Sequence, residues 1–77
     1  MRFIKFVSYT IPLFGNKRHI PYGRMVVELN GVRKTVRFGE IDGLGRSYVI
    51  FNRRRYYFSN KGDLYNPIIV FADKESA

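Results

Sequence analysis

The sequence contains no cysteine and no tryptophan, and it has only one histidine. Without cysteine the chain can form neither a disulfide scaffold nor a thiolate metal site, and it has no thiol nucleophile. One histidine leaves too few ligands for a structural zinc site. These absences predict a protein that uses no metal and no other cofactor.

Long apolar runs are also missing, since none approaches the ~18 residues of a membrane-spanning helix. The N-terminal segment 1–14 is apolar over about the length of a signal sequence, but Lys5 interrupts it and no small-residue cleavage site follows it. We therefore interpret residues 2–10 as a buried first strand, and we expect a cytoplasmic protein without a membrane contact. The 77 residues leave room for one domain, predicted at 1–72, followed by a frayed tail at 73–77.

β-branched and aromatic residues dominate the composition: Val, Ile and Phe occur seven times each and Tyr six times. Such side chains fit a pleated sheet, whereas good helix formers are scarce here outside the charged residues. Turn signals recur between short alternating runs, and no helical pattern is long. We predict an all-β fold of five or six short strands, either a small SH3-like or OB-like barrel or a curled antiparallel sheet, with no long helix.

The strongest local signal is Asn30-Gly31 between two alternating runs, which is typical of a two-residue type I′ hairpin turn. The turn sets the register of a hairpin over 24–38, because residues equidistant from it lie opposite each other. The inward, apolar face is predicted to carry Met25, Val27, Leu29, Val32, Val36 and Phe38. The outward face is predicted to carry Arg24, Val26, Glu28, Arg33, Thr35 and Arg37.

Two charged pairs follow on the outward face of this hairpin. Glu28 lies opposite Arg33, and opposite charges across an antiparallel pair attract. Arg24 lies opposite Arg37, which is mildly unfavourable unless something anionic binds there. The second pair is therefore a first indication of an anionic partner.

A second hairpin is predicted over 46–51 and 56–59, around a four-residue turn Asn52–Arg55. Phe51 then lies opposite Tyr56, in an apolar face that also contains Val49 and Phe58. The opposite face is predicted to carry Tyr48, Ile50 and Tyr57. This register places three consecutive arginines, Arg53, Arg54 and Arg55, at the hairpin tip.

The remaining segments are predicted as loops and one edge strand. Loops are expected at 12–23 and 39–45, where proline or glycine provides turn signals. The last strand is predicted over 64–72, and Pro67 restricts it to a sheet edge or to a start at Ile68, because proline cannot donate to the ladder.

Catalytic groups are few. His19 lies in a basic loop, where neighbouring cations depress its pKa, and no nearby carboxylate would orient it. Glu40 and Asp42 are two residues apart, as in some divalent-metal pairs, but they lie in a glycine-rich loop where such residues stabilise turns. We therefore expect a protein that is not an enzyme and has no catalytic or metal-ligating residues.

Charge is the most informative feature. Residues 1–60 hold 12 lysines and arginines against 3 acidic residues, and residues 61–77 hold 2 against 3, so the net charge of +8 belongs to the strands and their loops. Arginine outnumbers lysine nine to five, and its guanidinium binds phosphate or carboxylate through paired hydrogen bonds. The candidate nucleic-acid-binding or anion-binding residues are Arg53, Arg54, Arg55, Arg24, Arg33, Arg37, Lys17, Arg18, Arg46, Tyr48 and Tyr57.

Two classes of function fit these residues. The first is a nucleic-acid-binding module, for DNA or RNA, in which arginines hold phosphates while neighbouring tyrosines stack on bases. The alternative is an inhibitor or phage-type host-takeover protein that binds an acidic or nucleic-acid-binding surface of a protein partner. The apolar strand 68–71 favours this alternative, since a sheet edge can pair with another chain or with a second copy in a homodimer. The spread of charge over four segments favours nucleic acid.

Overall fold

The protein is all-β in the part that its structure, a computed structural model, describes, which is residues 1–13 and 20–72. The strands are β1 (Arg2–Thr10), β2 (Tyr22–Leu29), β3 (Val32–Phe38), β4 (Glu40–Ile41), β5 (Ser47–Phe51), β6 (Arg54–Asn60) and β7 (Ile69–Phe71). They form two antiparallel sheets, ordered β1-β2-β3 and β4-β5-β6-β7. The all-β prediction is confirmed, although the described residues form seven strands instead of the five or six predicted, because the two-residue β4 lies in a segment predicted as a loop. The predicted tail 73–77, His19 and the site candidates Lys17 and Arg18 lie outside the described residues.

The two sheets share one apolar core. β3 contacts β5 and β1 contacts β7, so the apolar side of each sheet meets that of the other. The buried side chains are Met25, Val27, Val36, Phe38, Val49, Phe51, Tyr56 and Phe71. The described strands form no closed barrel. Among the described residues there is also no helix that is long and apolar enough to span a membrane.

The first hairpin has the predicted register throughout. Leu29 pairs with Val32 at the turn, and Arg24 pairs with Arg37 five residues along each strand. One burial prediction is wrong: Val32 is 49% exposed, because it lies at the hairpin end, beyond the part of the sheet that the second sheet covers. Lys34 belongs to the same inward face near that end, where its ammonium lies 5.0 Å from the centroid of the Phe51 ring.

The second hairpin differs from the prediction in its register, which is displaced by two residues. Phe51 pairs with Arg54 rather than with Tyr56, so the turn contains only two residues. Asn52 and Arg53 both have positive φ, at 52° and 67°, as a type I′ turn requires. The sequence signal was missed because the second position of this turn usually holds glycine. A shift of two residues keeps every side chain on its predicted face.

The predicted loops and last strand also need correction. β2 begins at Tyr22, inside the predicted loop 12–23, and the predicted loop 39–45 contains the short strand β4. The last strand is only Ile69–Phe71 instead of 64–72. The segment before it is a loop held by Asn60, whose side-chain oxygen accepts from the backbone N–H groups of Gly62 and Ile68, each at 2.8 Å.

Candidate nucleic-acid interface

The outward side of the sheet β1-β2-β3, here called the basic face, collects most of the cations of the first half of the chain. Residues directly opposite each other share a face, and three cross-strand rows result: Arg2 with Glu28 and Arg33, Lys5 with Val26 and Thr35, and Ser8 with Arg24 and Arg37. Five cations therefore face one carboxylate. Sequence reasoning missed Arg2 and Lys5, because the pairing of β1 with β2 has two irregularities that no local pattern predicts.

Glu28 neutralises one end of the basic face. Its carboxylate oxygens lie 2.8 Å from Arg2 and 2.9 Å from Arg33. Hydrogen bonds from Arg33 and then from Arg2 hold the pKa of Glu28 below its ordinary value. The predicted Glu28–Arg33 pair is therefore confirmed, and Arg2 joins it from the neighbouring strand.

The other end of the basic face has an excess of positive charge. Arg24 and Arg37 lie directly opposite each other, both exposed, and neither guanidinium forms an ion pair with a described residue. Together with Ser8, Tyr22, Gly23, Phe38 and the acidic Glu40 they line an open depression of about 330 Å³. Two guanidinium groups beside a shallow, solvent-filled depression can hold a phosphate group.

A second cluster lies on the outward side of the sheet β4-β5-β6-β7. Tyr48 pairs with Tyr57 across β5 and β6, and their ring centroids are 5.8 Å apart. The Arg55 guanidinium lies 4.3 Å from the Tyr48 centroid, and that of Arg46 lies 4.4 Å from the Tyr57 centroid. We call these four residues the Arg–Tyr ladder. Both predicted stacking tyrosines are thus brought together, and each of them carries an arginine on its ring.

Asp42 fixes one end of the Arg–Tyr ladder. One carboxylate oxygen accepts from the backbone N–H groups of Leu44 and Arg46, each at 2.9 Å, and the other accepts from the Arg46 guanidinium at 2.8 Å. These hydrogen bonds lower the pKa of Asp42 from 3.8 to about 2, and the one from the Arg46 backbone N–H makes the largest contribution. A hydrogen bond with the Tyr57 hydroxyl also lowers the pKa of Asp42. A hydrogen bond between the same hydroxyl and Arg55 raises the pKa of the Arg55 guanidinium. Asp42 therefore acts as an anchor for the loop and for Arg46.

Replacing Asp42 with asparagine is expected to lower the melting temperature at pH 7. A carboxyl group with a depressed pKa stabilises the fold above its unfolded pKa of 3.8, and this contribution is lost as pH falls through about 2. The gap in melting temperature between wild type and Asp42→Asn should therefore be constant near neutrality and shrink below pH 4. Thermal unfolding between pH 2 and pH 7 measures it, with Asp63→Asn as the matched control. Equal melting temperatures at pH 7 would contradict this role.

The basic face and the Arg–Tyr ladder meet at Glu40. Glu40 lines the depression beside Arg24 and Arg37, and it also pairs with Tyr48 across β4 and β5. The paired arginines and the Arg–Tyr ladder are therefore parts of one continuous surface, with the acidic Glu40 between them. β3 continues into β4 after one residue, which is why the two surfaces adjoin.

The three arginines of the second hairpin do not act as one tip. Arg53 occupies the turn, Arg54 pairs with Phe51 at the start of β6, and Arg55 belongs to the Arg–Tyr ladder. Successive residues of a strand point to opposite faces, so a triple cluster could exist only in the longer turn that the sequence suggested.

These features define a small, basic, all-β protein with two cationic outer surfaces. Among the described residues no group of three histidine or acidic side chains could hold a metal ion. Comparisons of the chain with protein-family models, with curated proteins and with solved structures find no match.

Proposed function

We propose that this protein is a small nucleic-acid-binding module, without enzymatic activity, that contacts phosphates with its basic face and bases with its Arg–Tyr ladder. The observation that carries the proposal is the pair Arg24 and Arg37, opposed on a face of five cations and one carboxylate. A phosphate bound between them would replace a repulsion with two charge-assisted hydrogen bonds. The other candidate residues named from the sequence remain part of the proposed surface.

The basic face suits a phosphate backbone. Glu28 compensates part of the charge of Arg2 and Arg33, so the cations of the basic face without an ion pair to a described carboxylate are Lys5, Arg24 and Arg37. About three phosphate contacts would release a corresponding number of counterions, and the affinity would then fall with a slope of about −2 to −3 on a logarithmic salt scale.

The Arg–Tyr ladder suits unpaired bases. A guanidinium that lies 4.3–4.4 Å from a tyrosine ring centroid can offer its other planar side to a base, which would stack on it. The rings hold the arginines in position, so less side-chain freedom is lost on binding. Unpaired bases expose their faces and duplex bases do not, which favours single-stranded DNA or RNA as the ligand.

The proposed function is tested by titrating labelled single-stranded DNA, duplex DNA and single-stranded RNA at two salt concentrations, with wild type and with Arg55→Lys. We expect single strands to bind more tightly than the duplex, with steep salt dependence. Arg55→Lys keeps the charge but removes the planar group, so we expect about 5–10-fold weaker binding of single strands with an unchanged salt slope.

The control for this experiment is Arg37→Lys, which keeps a point charge for a phosphate and should change affinity less than Arg55→Lys. If the wild type binds none of the three ligands at low salt, the proposed function is wrong. If Arg55→Lys binds as the wild type does, the ladder is not a base-stacking surface.

A protein partner is the second candidate function, and the edge strand β7 favours it. β7 is the last strand of its sheet, and Val70 is 45% exposed on it, with Ile68 59% exposed just before it. β1 lies beside β7, however, and leaves less of this edge open to another chain or to a second copy. A partner that survives nuclease treatment and is lost in Val70→Lys would favour this candidate.

We also propose that the two sheets together form a small barrel. A small SH3-like or OB-like barrel would be closed where β3 approaches β5 and where β1 approaches β7. Both contacts are of the kind that barrel closure needs, and backbone hydrogen bonds between those strands would be its signature.

A further inference from the structure

The two hairpin turns lie at one end of the molecule and use the same turn type with different residues. The first turn has Asn30 and Gly31, at φ values of 51° and 80°, and the second has Asn52 and Arg53, at 52° and 67°. Asn30 and Asn52 line the same open cleft, and the Lys34 ammonium donates a hydrogen bond to Asn52. The second position of the turn is therefore glycine in the first hairpin and arginine, Arg53, in the second.

Arginine is unfavourable at this position. In the left-handed region the Cβ atom crowds the following carbonyl oxygen, so glycine is preferred there, and asparagine is tolerated because its short side chain bonds to local backbone. Arginine has neither property. Arginine in the turn therefore makes the hairpin less stable than glycine would. Residues held in such unfavourable backbone conformations are often found at functional sites.

No contact within the described part of the protein supplies that role. Arg53 is exposed, and it forms no hydrogen bond, ion pair or ring contact with any other described residue. Its surroundings are positive, because Lys34 bonds to the neighbouring Asn52 and Arg54 lines the cleft between the turns. No acidic residue is among those described as lining that cleft. The side chain is therefore exposed in a cationic neighbourhood, which attracts an anionic group from outside the fold.

We infer, on the basis of the proposed function, that Arg53 is a phosphate contact for nucleic acid at the end of the molecule where the two turns meet. Arg33 stands on the basic face next to the first turn, with Glu28 as its partner. Because Asn30 and Asn52, one from each turn, line the same cleft, Arg53 lies at the same end of the molecule as Arg33. The site extends the proposed footprint beyond the two sheet surfaces.

The test compares Arg53→Gly and Arg53→Lys with wild type in thermal unfolding and in titrations of labelled single-stranded DNA at several salt concentrations. Arg53→Gly should raise the melting temperature by about 4–8 °C, since the turn strain is removed. It should also weaken binding about 3–10-fold at low salt and reduce the salt slope by about one. Arg53→Lys should keep the affinity within about twofold without stabilising the fold.

Each outcome decides between the two proposals. If Arg53→Gly is more stable and binds with unchanged affinity and slope, Arg53 contacts no phosphate, while the proposed function stands. If Arg53→Gly is not more stable, the turn holds arginine without loss and the inference is overturned. If wild type itself does not bind, the proposed function fails and the inference fails with it.

Discussion

Reversing both charges of the Arg24–Arg37 pair is expected to reduce the affinity for single-stranded nucleic acid about 100-fold or more at low salt. The double variant Arg24→Glu/Arg37→Glu removes two phosphate contacts and places two carboxylates against the phosphates, and like charges in contact cost several kcal/mol. Fluorescence anisotropy at several salt concentrations measures the loss. The salt slope should fall by about two, because two counterions fewer are released.

Two controls separate this effect from net charge and from unfolding. Lys61→Glu changes the net charge by two, half as much as the double reversal, and Lys61 lies in the loop between β6 and β7, outside the three strands of the basic face. Arg24→Gln/Arg37→Gln removes the like-charge pair without reversing it, so its melting temperature should equal or exceed that of the wild type. Wild-type affinity in the double reversal would show that phosphates bind elsewhere.

Replacing Gly23 with alanine is expected to cause the largest loss of stability among the glycine substitutions. Gly23 pairs with Tyr9, close to a bulge in the pairing of β1 with β2, and it has a φ of 154°, in a region that side-chain-bearing residues rarely adopt. An added Cβ would lie 2.8 Å from the Ser8 carbonyl carbon and closer still to its oxygen. Both atoms belong to the backbone of a paired strand and cannot move aside without breaking that pairing.

We expect Gly23→Ala to cost about 3 kcal/mol, from strain and from the clash together. A domain of this size is only marginally stable, since whole domains hold ~5–15 kcal/mol, so the melting temperature should fall by more than about 12 °C. Gly43→Ala is the matched control, because nothing lies within 4 Å of its added Cβ. Circular dichroism during heating measures both. A melting temperature of Gly23→Ala equal to that of Gly43→Ala would show that the bulge adapts.

Local chemistry in the sequence is sufficient for the first hairpin. Asn30-Gly31 admits one tight turn, and the turn determines each cross-strand pair up to Arg24 and Arg37. The face assignments of the second hairpin were also predictable, because alternation alone determines which side chains point inward. Its register was not, since the sequence shows no glycine at Arg53, and only the observed φ values identify the two-residue turn.

The amino-acid sequence by itself determined that the described part of the chain is all-β, that its charge lies in the strands and their loops, and that Arg24 opposes Arg37. Only the tertiary structure decided which distant residues share a surface: Arg2 and Lys5 join the basic face through the irregular pairing of β1 with β2, and Arg46 reaches the Tyr57 ring from the loop that Asp42 anchors. The physical reason is range. Turn preference and alternation act between near neighbours in sequence, whereas sheet order, bulges and ring contacts depend on how separate segments bury one common core.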